Sequence, residues 1–440
     1  MKISDFVYMT MLVLLGAGHS LSASEVPAVT SQAAAQSPQG AAQLTLDELR
    51  TFTDVFNEIR RNYVEKIDDK TLLDAAIKGM LTRLDPHSAY LPNKDFEDLE
   101  TSARGQYIGL GFDVGSENGR IVIRHVINPS PADSAGINPG DIIIAIDGKP
   151  IKDRPFKDIT GQLDGKPGTS VELTIQTPDG KTKKLTLKRE FVKLPALTFR
   201  LMENHYGYVR IVYFHRQSAT DLKSTLESVR EAGTQLYGLI LDLRNNPGGV
   251  LQPAIEIADG FLDRGDIVST RGRNATMQLQ FSAQPGQWLP NTPLVLLVDR
   301  GSASASEVLA GALQDNGRAV IVGEPTFGKG SVQSVLPLRN GAGLKLTTAR
   351  YYTPSGRSIQ AQGIVPDIRV AGSVKVVKDA DDRRQEADLK RHLSEENVKV
   401  VEDQGETVSV DEDYPLHEAL NLLRATHILS RLDQQEKASK

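Results

Sequence analysis

At 440 residues, with 39% of positions apolar and 37 glycines, the chain has the length and composition of a globular protein of about three domains, and is neither disordered nor collagenous. A formal net charge of −5 gives no global drive toward nucleic acid or an anionic membrane. Cysteine is absent, which removes disulfide scaffolds, thiolate zinc sites and cysteine nucleophiles together.

Lys2 precedes an apolar run, 6–18, closed by the small residues of 20–24. About thirteen apolar residues suit an export signal and fall short of the ~20 that span a bilayer. Residues 1–24 are therefore expected to be a signal peptide or an N-terminal anchor, and the protein exported, periplasmic, and membrane-associated if the segment is retained. Residues 25–43, rich in Ala, Gln, Pro and Ser, read as a flexible leader. A helical region is expected over 44–103. Thr45 and Glu48 fit a capping box, Leu46, Leu49, Phe56, Ile59 and Tyr63 recur at helical spacing, and a second helix stops at Asp85-Pro86. A third helix is expected over 93–103. From 104 to 190 the chain turns to short β runs broken by Gly and Pro. From 191 to 370 strands alternate with helices. The charged stretch 371–440 ends in a helix expected over 415–432.

In the β-rich region, Ile108-Gly109-Leu110-Gly111 sets two glycines beside a strand, where successive backbone N–H groups can cradle an anion such as a terminal carboxylate. An ordinary hairpin turn is the alternative. Further on, Ser130-Pro-Ala-Asp-Ser-Ala-Gly and Asn138-Pro-Gly-Asp-Ile-Ile-Ile-Ala-Ile-Asp-Gly148 closely resemble the signature of PDZ domains. That resemblance implies a peptide-binding groove, with Ile108, Gly109, Leu110 and Gly111 holding the carboxylate end. It also implies a short helix near 131–135 facing the strand that follows that glycine loop, with the groove between them taking the peptide.

Three segments of the α/β region carry candidate chemistry: Leu239–Gly249, Pro293–Glu307 and Gly323–Gly330. A serine on a strand-to-helix turn presents its hydroxyl at the sheet edge beside unpaired helix-start N–H groups, which suits a nucleophile with half an oxyanion hole. Helix capping by Ser302, Ser304 or Ser306 is the simpler alternative. Gly323 to Lys329 mimics a phosphate-binding loop, but Gly330 stands where a hydroxyl is needed and a strand pattern follows where a helix should. His205 and His215 are the histidines that precede these motifs in the α/β region, and neither sits in a recognisable motif. No metal-binding spacing occurs, so no metal or cofactor is expected.

Leu243-Arg-Asn-Asn-Pro-Gly-Gly249, Gly301-Ser-Ala-Ser-Ala-Ser-Glu307 and Phe327-Gly-Lys-Gly-Ser-Val-Gln333, behind a PDZ domain, strongly resemble the carboxyl-terminal processing proteases over most of 44–370. The resemblance implies a multidomain α+β fold: N-terminal helices, a PDZ domain, an α/β protease core with a mixed sheet, and a C-terminal helical extension. It makes Ser304 the nucleophile, Lys329 its general base, and Gln333 the residue that positions the lysine. Lying four residues apart, Lys329 and Gln333 would share a face if both were on a strand. The implied oxyanion donors are the N–H groups of Ala305 and of a glycine in the 248–249 pair, Gly249 being the better match. An exposed lysine, with pKa ~10.4, cannot act as a base at neutral pH, so a dry site is required. The expected protein is a serine endopeptidase acting on the tails of envelope proteins. As partners the resemblance implies cell-wall hydrolases, a helical-repeat lipoprotein adaptor, and further copies of the chain through the terminal helices; no nucleic acid is expected. A catalytically idle PDZ scaffold is the alternative.

Overall fold

The computed structural model describes residues 44–371, except 118 and 153, together with 413–438. The expected signal peptide and leader, and the stretch 372–412 of the charged extension, lie outside the described residues.

Thr45 caps the first helix, Leu46–Asn62: its hydroxyl accepts the Glu48 N–H at 3.2 Å, and the Glu48 carboxylate accepts the Thr45 N–H at 2.7 Å. No residue of this helix is buried, and Leu46, Leu49, Phe52, Val55 and Ile59 are exposed along it. The second helix, Asp69–Leu81, stops short of the expected Asp85-Pro86. The Asp85 carboxylate instead gathers the N–H groups of His87 and Ser88, at 2.8 and 2.9 Å, into a turn, and also accepts the Thr347 hydroxyl at 3.1 Å. The third helix runs Asn93–Ala103, the expected span.

Residues 112–188 form an antiparallel sheet in the order Phe112–Glu117, Arg120–Val126, Ile142–Ile146, Ser170–Gln176, Thr182–Lys188. Its own core includes Ile123, Ile143, Ile159, Leu173 and Ile175. The edge strand Phe112–Glu117 pairs on one side only among the described residues. The helix near 131–135 is a single four-residue turn, Pro131–Ser134, whose Ala132 N–H donates to the Leu110 carbonyl at 2.9 Å. It braces the glycine loop and is too short to line a groove along the strand. The other helix is Phe156–Leu163. An antiparallel ribbon, Gln106–Gly109 with Glu190–Lys193, carries the chain into and out of this domain.

The α/β core is a six-stranded sheet in the order Leu197–Met202, Tyr206–Ile211, Gly238–Asp242, Leu294–Val298, Val320–Gly323, Ile368–Arg369. The first pair is antiparallel and the rest are parallel. Its central strands are apolar on both faces because both are covered. Leu239, Leu241, Leu294 and Leu296 pack with helices Ser218–Glu231, Leu251–Phe261 and Ala305–Asp315. Ile240, Val295, Leu297 and Val322 meet the C-terminal helix, Tyr414–Ala438, through Leu416, Ala419, Leu420 and Leu423. That helix is longer than the expected 415–432. Each leucine buried there contributes roughly 1.5–3 kcal/mol. A second sheet includes the hairpin of Ser331–Pro337 and Gly343–Tyr352.

Candidate active site

The strand Leu294–Val298 leads through a tight turn into the helix Ala305–Asp315, and Ser304 sits at the corner with φ +56° and ψ −112°. Such a backbone is strained for a residue with a side chain and persists only where the surroundings impose it. They do so through the flanking serines: Ser302 Oγ donates to the Leu243 carbonyl at 2.7 Å, and Ser306 Oγ to the Asn246 carbonyl at 3.0 Å. Both are fully buried and bind the corner to the loop that follows Gly238–Asp242.

That loop brings Gly248 against Ser304. A Cβ on Gly248 would lie 2.9 Å from Ser304 Cβ and 3.0 Å from the Ala305 nitrogen, and its φ of +99° also favours glycine. The Gly248 N–H donates to Asn246 Oδ1 at 2.9 Å. The N–H groups of Gly249 and Ala305 donate to no acceptor among the described residues. Ala305 opens the helix directly after Ser304, where such an N–H is left over, and Gly249 follows the Gly248 that lies against the serine. Gly249 is held by Phe214, whose N–H donates to the Gly248 carbonyl at 2.9 Å and whose carbonyl accepts the Val250 N–H at 2.8 Å.

Lys329 lies on the loop between Val320–Gly323 and Ser331–Pro337 and is half-buried. The expected face-sharing with Gln333 does not follow from strand alternation. The strand begins only at Ser331, and a bulge between Val332 and Gln333 shifts the register. Gln333 Nε2 donates to the Ser331 hydroxyl at 2.8 Å and carbonyl at 3.2 Å, so its amide oxygen is the atom it can offer a lysine. Glu324, near Lys329 in sequence, pairs with Arg300 at 3.3 Å.

One residue that sequence reasoning missed joins these parts. The Glu307 carboxylate is fully buried and accepts four donors: Ser304 N–H at 2.7 Å, Thr326 Oγ1 at 2.5 Å, Gly328 N–H at 2.7 Å and Lys329 N–H at 2.8 Å. The serine corner and the lysine loop thus close on a single side chain. Burial pushes its pKa up to about 7, against the pull of those hydrogen bonds. The signal was available as Ser304-x-x-Glu307, a capping-box spacing whose carboxylate here reaches well beyond its own helix.

Asp242 and Arg244 were also missed. Arg244 donates to the buried Asp242 at 2.7 Å and to Asp413, at the start of the C-terminal helix, at 2.6 and 2.8 Å. Burial disfavours the guanidinium charge, but the hydrogen bonds to Asp413 and Asp242 outweigh it and hold its ionisation above the ordinary value. In the smaller domain, Ile108 and Gly109 lie in the ribbon strand, paired with Phe191 and Glu190, whereas Leu110 and Gly111 lie at the loop itself. The Gly111 N–H faces the Tyr107 hydroxyl, whose ionisation burial pushes up.

Family models match along the chain: the activating protease CtpB N-terminal domain over 7–95, a PDZ domain over 108–188, and peptidase family S41 over 205–370. A carboxy-terminal-processing protease of Bartonella bacilliformis is 40% identical over 393 residues, 87% of this chain and 89% of that one. A carboxyl-terminal-processing protease of Picosynechococcus is 40% identical over 66% of this chain and 71% of its own. Among solved structures, the photosystem II D1 C-terminal processing protease is 30% identical, with a TM-score of 0.45 over 74% of this chain and 94% of that one. The molecule is a PDZ-containing serine peptidase. It belongs to the carboxy-terminal-processing protease family.

Proposed function

We propose that this chain is an exported serine endopeptidase that captures C-terminal tails through its PDZ domain and cleaves with a Ser304–Lys329 dyad. The observation that carries the reading is the closure of both loops on Glu307, with an unbonded N–H on Ala305, next in sequence to the serine, and another on Gly249, next to the Gly248 that packs on the serine. Neutral Lys329 accepts the Ser304 proton as Oγ attacks the scissile carbonyl. The negative oxygen of the tetrahedral intermediate accepts from Ala305 and Gly249. As the carbon–nitrogen bond breaks, Lys329 returns the proton to the leaving amine. Water then repeats the sequence on the acyl-enzyme, again with Lys329 as base. Gln333 positions the lysine through its amide oxygen.

An incoming tail would add as a strand along the edge Phe112–Glu117, with its carboxylate at Leu110 and Gly111. Tethering raises the local concentration of the scissile segment and favours flexible substrates. The run 6–18 supports export, and the family resemblance supports envelope proteins, cell-wall hydrolases among them, as substrates and a lipoprotein adaptor as a partner. The exposed apolar face of Leu46–Asn62 supports assembly with further copies.

The test is to incubate wild type, Ser304→Ala, Lys329→Ala and His205→Ala with an unstructured polypeptide. Fragments should appear with wild type and His205→Ala and be absent from the other two. Equal yields from Ser304→Ala would overturn the nucleophile assignment, and no fragments from wild type under any condition would favour an idle tail-binding scaffold.

A further inference from the structure

The link between the PDZ domain and the active site is short and tightly packed. The ribbon strands enter and leave the domain at Gly105 and Leu194, where the Leu194 N–H donates to the Gly105 carbonyl at 2.8 Å. The imidazole of His215 lies directly on this junction. A Cβ built on Gly105 would sit 2.6 Å from His215 Cγ, closer than side chains approach, and Gly105 has φ +72°. The next residue, Arg216, donates its N–H to the Ala103 carbonyl at 3.0 Å. The preceding residue, Phe214, is the one whose backbone holds Gly248 and Val250 on either side of Gly249. Two consecutive residues thus touch the base of the PDZ ribbon and the glycine loop beside Ser304.

The ring is 3% exposed, and its hydrogen bonding is incomplete. His215 Nδ1 accepts the Gln217 N–H at 3.2 Å, so the neutral ring carries its proton on Nε2. Nε2 is buried with no hydrogen-bond partner among the described residues, as is Nε of Arg216. The Leu194 carbonyl is close enough to favour the protonated ring without completing that bond. Burial still pushes the histidine pKa down overall. A buried N–H without an acceptor is unfavourable. A modest shift of the ribbon base would bring the Leu194 carbonyl to it, so the junction has reason to adopt a second arrangement.

We propose that His215 is the positioning residue that couples the PDZ domain to the oxyanion loop. Tail binding shifts the ribbon, the Gly105–Leu194 junction carries the imidazole with it, and Phe214 resets Gly248 and Gly249 against Ser304. This rests on the tail-capture reading above and adds the route by which capture acts on turnover. His215 does no chemistry in it; it transmits a displacement through packed groups.

The experiment uses the full chain and a short internally quenched peptide lacking an apolar C-terminus as reporter substrate. The activator is a separate peptide ending in a free apolar carboxylate, with its C-terminal amide as control. Wild-type kcat should rise roughly fivefold or more with the free-acid peptide, in the range of ordinary allosteric couplings, and not with the amide. In His215→Ala the ratio of activated to unactivated kcat should fall toward one, while the activator Kd, read by fluorescence anisotropy, stays within about twofold. His215→Gln, which keeps a donor near the Nε2 position, should retain part of the ratio. Gly105→Ala drives the same contact from the ribbon side and should alter the ratio if His215→Ala fails to fold. A purely structural role would change folded yield and leave the ratio intact. An unchanged ratio in folded His215→Ala or Gly105→Ala overturns the proposal alone. A wild-type enzyme that binds the activator without acceleration also overturns it, and one that binds no free-acid peptide removes the tail-capture reading and the proposal with it.

Discussion

Glu307 is the residue on which two loops depend, and its protonation sets opposite demands on activity and stability. The Ser304, Gly328 and Lys329 N–H groups can only donate, so the carboxylate takes all four hydrogen bonds as they stand, whereas a bound proton would turn the Thr326 hydroxyl from donor to acceptor and loosen the set. The folded-state pKa of about 7 stands above the ordinary value of 4.5, so the folded protein binds the proton more tightly than the unfolded chain between those pH values. Stability from this group is present below about 4.5 and declines as pH rises toward 7, by of order 3 kcal/mol in total. Activity runs the other way and should rise through pH 7. Glu307→Gln places an amide NH2 against the backbone donors, and is expected to lower kcat/KM by roughly 10–100-fold and to abolish the acidic limb near pH 7. A pH–rate profile of the variant checks this; a retained limb at the same position would assign it to another group. The Ser304-x-x-Glu307 spacing showed the residue in the sequence, but helix capping is a local explanation that conceals a contact 22 residues away.

Elements were legible where the signal was local. The capping box at Thr45, the apolar strands Gly238–Asp242 and Leu294–Val298, and the glycine-rich loops declared themselves by type and order. The end of the second helix did not, because Asp85 is bound by Thr347, a residue no local pattern connects to it. The lysine loop shows the same limit. Its shape comes from Gly328 and Gly330, which lie against residues 359–363. A Cβ on Gly330 would sit 2.2 Å from the Gln360 nitrogen, and the clash is with backbone that cannot swing aside. Gly330→Ala should therefore displace Lys329, reduce turnover strongly and lower stability by about 1–3 kcal/mol, the ordinary range for overpacking. Thermal unfolding alongside steady-state kinetics tests it, and wild-type values for both would show that the loop does not hold the lysine.

At the scale of the molecule, the sequence conveyed the order of the parts and little of how they are joined. The C-terminal helix covers the second face of the core sheet and is tied by Asp413 to Arg244, next to the glycine loop. Its apolar positions were readable, whereas the strands they cover, those of Ile240, Val295, Leu297 and Val322, were not. The first helix presents the converse case: its apolar residues obey helical spacing but find no core. If that face joins copies of the chain, Phe52→Glu should shift sedimentation toward a smaller species while leaving the folded signal by circular dichroism intact. An unchanged sedimentation coefficient would place the contacts elsewhere.

The central assignment, an alcohol at a strained corner activated by a neighbouring amine, is tested most directly by trapping the covalent intermediate. During turnover of an activated peptide ester at neutral pH, acid quenching followed by peptide mapping should find the acyl group on Ser304 in the wild-type enzyme. Ser304→Ala and Lys329→Ala should carry none. Acylation at another residue, or undiminished acylation of Ser304 without Lys329, would contradict the account.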